Sequence, residues 1–80
     1  MRKVLRFTAS WCQPCKMLGR ILEDIHTDYT IEVIDIDENR ELAIQYSVRG
    51  VPTLVMLKND IETKRIVGMQ TEGFLKDWLV

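Results

Sequence analysis

The segment Thr53-Leu54-Val55-Met56-Leu57-Lys58 constrains the fold more than any other part of the chain. It is a nearly continuous apolar run with no polar face. A strand of that kind is buried on both sides, so the rest of the chain must cover two faces of a sheet. Eighty residues suffice for one core and leave no room for a second, so a single domain spanning residues 1–80 is expected.

The cover is legible on either side of that strand. Lys3 to Phe7 reads as a short strand with Val4, Leu5 and Phe7 apolar. Between Cys12 and about Asp28, Met17, Leu18, Ile21, Leu22 and Ile25 recur at the spacing of one helical stripe. Ile31 to Ile36 alternates and is β-branched, which predicts a second strand. Asp37, Glu38 and Asn39 offer caps for a short helix from about Arg40 to Tyr46. Asn59-Asp60 predicts a two-residue hairpin turn into a strand over Ile61 to Val67, which Gly68 ends. Thr71 can cap a last helix with Phe74, Leu75, Trp78 and Leu79 on one face. The order is β-α-β-α-β-β-α. A helix joins the first two strands, so they are expected parallel with a right-handed crossover, and the last two form a hairpin. The expected fold class is α/β, with a four-stranded mixed sheet and helices on both faces.

Composition narrows the function. Eleven Lys+Arg against twelve Asp+Glu give a net charge of −1, without the basic excess of a nucleic-acid binder. No apolar run approaches the ~18 residues that span a bilayer. Arg6 interrupts the first apolar stretch early, which argues against a secretory signal and for a cytoplasmic protein. Two cysteines are too few for a disulfide-stapled scaffold. With His26 they make an incomplete ligand set for structural zinc, so no metal is expected.

The two cysteines lie in Trp11-Cys12-Gln13-Pro14-Cys15-Lys16, where the first strand hands over to the first helix. Cys12 falls at the helix start, near unpaired backbone N–H groups and the positive end of the helix dipole. Those donors favour thiolate over thiol. Pro14 falls in the first turn, where its missing N–H costs nothing. Cys15 projects from the same side, so the two sulfurs can meet. The arrangement suits thiol–disulfide exchange, in which Cys12 attacks a substrate disulfide and Cys15 resolves the mixed disulfide.

At these residues the chain resembles the thioredoxin family. Gln13 stands in place of the glycine in that family's Trp-Cys-Gly-Pro-Cys-Lys signature. A second likeness lies at Arg49-Gly50-Val51-Pro52-Thr53, similar to the family's cis-proline loop. Asp35 to Asn39 and Lys58-Asn59-Asp60 also fall in family-like places. The resemblance implies a thioredoxin fold, lacking the family's leading strand and helix and trimmed to the core that glutaredoxins share. It implies a protein-disulfide reductase and electron carrier that needs no cofactor. Protein disulfides would be its substrates and a flavin-dependent thioredoxin reductase its electron donor; a monomer is expected. Cys12 would be the nucleophile and Cys15 the resolving thiol. Pro52 would be cis, exposing the backbone of Val51 to a substrate strand. Trp11 and Gly68 would flank the docking surface, with Gln13 and Pro14 part of it.

Departures from the family are equally informative. A buried aspartate usually stands behind the resolving cysteine, and Arg6 matches it here; Val33 matches its lysine partner. A guanidinium there would favour thiolate and tune the redox pair, with Asp35 as its possible partner. Arg20 replaces a helix-kinking proline. Asp60 replaces the hairpin glycine, where a left-handed backbone costs roughly 1 kcal/mol. Trp78 and the methionines Met17, Met56 and Met69 read as core filling, with Met69 after Gly68 also placed to line the docking surface; His26 reads as a surface residue, and Asp35 to Glu41 as a solvated strand end and helix start. Two further functional readings remain open. One is a glutathione-dependent, glutaredoxin-like reductase, although the usual glutathione contacts are missing. The other is a non-catalytic docking subunit with an idle dithiol.

Overall fold

A computed structural model describes residues 1–80. Strand β3 (Thr53–Lys58) is buried from Thr53 to Leu57. It sits inside a four-stranded sheet of order β2-β1-β3-β4, made with β1 (Arg2–Thr8), β2 (Thr30–Asp35) and β4 (Ile61–Val67). β1 runs parallel to β2 and antiparallel to β3, and β3 pairs antiparallel with β4. Helices α1 (Gln13–Glu23), α2 (Arg40–Gln45) and α3 (Glu72–Trp78) complete the β-α-β-α-β-β-α order.

Alternation along the two central strands sorts the core into two layers. Val4, Leu54 and Met56 face Leu18 and Leu22 of α1 and Leu75 and Trp78 of α3. Leu5, Phe7, Val55 and Leu57 face the opposite way, onto Ala43 of α2. There the Phe7 and Tyr46 rings meet at 6.1 Å. Both faces of β3 are therefore covered, as its composition requires. The same alternation puts Arg6 on the Val4 side, against α1.

Local signals explain most element ends. The side chains of Asn39 and Thr71 cap α2 and α3 by accepting the N–H groups of Leu42 and Phe74. The hairpin turn Asn59-Asp60 has both residues left-handed, at φ 51° and 68°. One bulge, between Met56 and Leu57, lets β4 carry an extra residue.

Three local expectations change. Helix α1 ends at Glu23, not near Asp28, because the Asp24 and Ile25 N–H groups fold back onto the Ile21 and Leu22 carbonyls, respectively. Ile25 still packs on the same cluster, so the apolar stripe outlasts the helix. Met17 and Met69 are exposed rather than core, and Phe74 is 44% exposed beside the buried Leu75-Trp78-Leu79 stripe. The end of α2 also hides a signal: Ser47 is left-handed at φ 55°, and the Val48 N–H reaches the Ala43 carbonyl at 2.8 Å. This is the left-handed cap usually made by glycine.

Glycine relieves the Cβ conflict at such positions. Ser47→Gly and Asp60→Gly are each expected to stabilise the fold by about 0.5–1 kcal/mol. A thermal melt should register each as a rise of roughly 2–8 °C in a domain of this size. A fall in Tm for both would contradict the strain argument.

Candidate active site

The α1 start is built around Cys12. Its backbone is extended, it occupies the N-cap, and its Sγ accepts the Cys15 N–H at 3.2 Å. Gln13 and Pro14 open the helix, so proline forfeits no intrahelical bond. The Cys12 N–H is itself held by the Ala9 carbonyl at 3.1 Å. Cys12 and Cys15 are joined as a disulfide, with their Cα atoms 5.3 Å apart. Cys12 keeps 5% of its surface exposed and Cys15 none. Ala9, Ile36 and Val51 pack around the pair.

The second half of the site comes from the loop before β3. The Val51–Pro52 peptide bond is cis, and Pro52 is buried. Thr53 Oγ1 donates to the Gly50 carbonyl at 2.7 Å, closing the loop on itself. The Gly68 N–H donates to the Pro52 carbonyl at 2.8 Å, which ties the end of β4 to this loop. Gly68 has φ 92°, a conformation that favours glycine. None of the loop hydrogen bonds uses the Val51 N–H or carbonyl. Trp11 is 66% exposed, and its Nε1–H donates to Asp37 Oδ2 at 2.9 Å.

Trp11, Gln13 and Pro14 adjoin the cysteines along the chain, Val51 packs against the pair, and Gly68 is tied to Pro52, the next residue of the same loop. Arg6 lies behind the disulfide, donating from Nη1 to the Cys15 carbonyl at 3.3 Å. Burial pushes the Arg6 guanidinium below its ordinary value, and the charge of Glu23 opposes that shift. Arg6 forms no ion pair with Asp35, whose Oδ1 accepts the N–H groups of Asp37 and Glu38. That turn also gives the acidic stretch a structural use, since it presents Asp37 to Trp11. An Asp-x-Asp-Glu turn signal after β2 could have suggested the turn, but not its tryptophan partner.

The thioredoxin family model matches residues 1–80. The chain belongs to the thioredoxin family. It is 43% identical to a thioredoxin from Buchnera aphidicola, over 91% of this chain and 71% of that one. A thioredoxin from Staphylococcus epidermidis is 37% identical over 96% of this chain and 78% of its own. A solved mutant thioredoxin from Halobacterium salinarum superposes with a TM-score of 0.92 at 42% identity. That match covers 98% of this chain and 71% of the other. Family membership and the Cys12–Cys15 pair make the protein a thiol–disulfide oxidoreductase, a protein-disulfide reductase of thioredoxin type.

The Trp11–Asp37 bond pins the segment before Cys12 to the turn after β2. Asp37→Ala should cost about 0.5–1.5 kcal/mol, as for loss of one partly solvated hydrogen bond. Denaturant unfolding at fixed m-value checks this, and an unchanged midpoint would show the bond to be energetically idle.

Proposed function

We propose that Cys12 is the attacking thiolate and Cys15 the resolving thiol. The observation that carries this assignment is the difference in exposure: Cys12 keeps an opening to solvent and Cys15 has none. The Cys15 N–H aimed at Cys12 Sγ supports negative charge on that sulfur. Cys12 thiolate attacks one sulfur of a substrate disulfide, and the other substrate sulfur leaves as thiolate. Cys15, having given up its proton, then attacks Cys12 Sγ and releases the second substrate thiolate. Two electrons pass to the substrate, and Cys12–Cys15 ends oxidised.

Trp11, Gln13, Pro14, Val51, Pro52 and Gly68 form the substrate-docking surface in this reading. The free Val51 backbone groups suit pairing with an extended peptide beside the disulfide. Exposed Val67 and Met69 extend the apolar rim on either side of Gly68. The protein works as a single-domain, monomeric electron carrier in the cytoplasm. No helix is long and apolar enough to cross a membrane. A flavin-dependent thioredoxin reductase returns its electrons.

Two assays test the reading. Cys15→Ser should accumulate a mixed disulfide between Cys12 and one insulin cysteine, the other sulfur of that insulin disulfide leaving as thiolate, whereas Cys12→Ser should form none. Trapping through position 15 instead would reverse the roles. Insulin reduction by the wild type should proceed with NADPH and a flavin-dependent thioredoxin reductase, and run at least about tenfold slower with glutathione and glutathione reductase. The opposite ranking would favour the glutaredoxin-like alternative. If both assays are blank, the docking-subunit reading replaces catalysis.

A further inference from the structure

Arg6 is a charged side chain on the face of β1 that packs against α1, the same face as buried Val4. It needs a seat there, and α1 provides one at Gly19. A Cβ at position 19 would lie 3.0 Å from Arg6 Nη1 and 3.2 Å from its Cζ and Nη2. The guanidinium therefore occupies the volume that any other side chain at 19 would take. From that seat Nη1 reaches the carbonyl of Cys15, one helical turn earlier. The positive charge is thus fixed against the backbone of a residue that carries a reacting sulfur.

We propose that Arg6, seated on Gly19, stabilises the reduced Cys12/Cys15 pair by its charge, with Gly19 as the positioning residue. The inference rests on the reading of that pair as the cycling dithiol. The disulfide is neutral. Its two-electron reduction leaves two sulfurs, and for as long as Cys12 stays a thiolate the reduced pair carries negative charge that the disulfide lacks. A fixed cation therefore acts on the reduced state and not on the oxidised one. Partial burial of Arg6, which lowers its pKa, also weakens solvent screening of that charge. Its charged neighbours are Lys16, Arg20 and Glu23 on α1 and Asp35 on β2, which line a cavity of about 370 Å³ with it. Asp35 is engaged by backbone amides, and none of the ion pairs of the chain includes Arg6. Its field on the sulfurs is not cancelled by a direct partner.

The experiment equilibrates wild type, Arg6→Met, Gly19→Leu and the double variant with reduced and oxidised glutathione. Two glutathiones give up two electrons and two protons to the protein disulfide and become oxidised glutathione. Thiol alkylation then counts the reduced fraction. Arg6→Met should move the equilibrium about tenfold toward the disulfide, which is ~30 mV for this two-electron couple. Gly19→Leu keeps the charge but fills its seat, so it should shift the equilibrium the same way. The double variant should move no further than Arg6→Met alone. Thermal melts confirm that each variant is folded. An Arg6→Met equilibrium within about twofold of wild type would overturn the proposal. A separate Gly19→Leu shift that persists in the Arg6→Met background would overturn the seating. If the wild type forms no reversible disulfide with glutathione at all, the redox assignment falls first and this inference with it.

Discussion

Antiparallel pairing of β1 with β3 is the constraint on which the site depends. It sets Phe7 beside Thr53. The end of β1 and the start of β3 therefore lie at the same edge of the sheet. One leads into the Cys12 turn and the other out of the Val51–Pro52 loop. Pairing the strands in the opposite sense would put the dithiol and the loop at opposite ends. Parallel pairing of β1 with β2 adds the third wall, because Thr8 lies opposite Asp35 and its carbonyl takes the Ile36 N–H. Trp11, Asp37, Ile36, Val51 and Pro52 converge for that topological reason.

Electrostatics at this edge is made mainly of backbone groups. The Cys15 amide faces Cys12 Sγ, at the helix end where unpaired donors collect. Arg6 is the charged side chain seated behind that turn, and its place depends on a residue with no side chain. Cys15 is sealed while Cys12 retains an opening, so a helix start with two chemically identical sulfurs becomes asymmetric. Ala9, Ile36 and Val51, which belong to three different segments, pack against the pair.

Strand β3, the dithiol and its helix start were legible because each depends on neighbours in sequence. Thr53–Lys58 is apolar throughout, Pro14 sits where a first turn tolerates it, and Asn39 and Thr71 cap as their residue types dictate. Other features could not be read that way. Where α1 stops is decided by backbone turning at Asp24, while the apolar pattern runs on to Ile25. Ser47 takes a conformation usual for glycine because helix and loop geometry demand it. Asp35 is near Arg6 in sequence pattern, but its Oδ1 serves the turn that follows it and no ion pair joins the two.

By itself, the sequence determined the element order, the buried central strand and the chemistry of the Cys12/Cys15 pair, since periodicity, capping and helix-end donors act over a few residues. Only the tertiary structure decided which sulfur stays open, which side chain holds Trp11, and where the Arg6 charge comes to rest. Those outcomes depend on contacts between segments far apart in the chain, and sheet register and burial set such contacts rather than local preference.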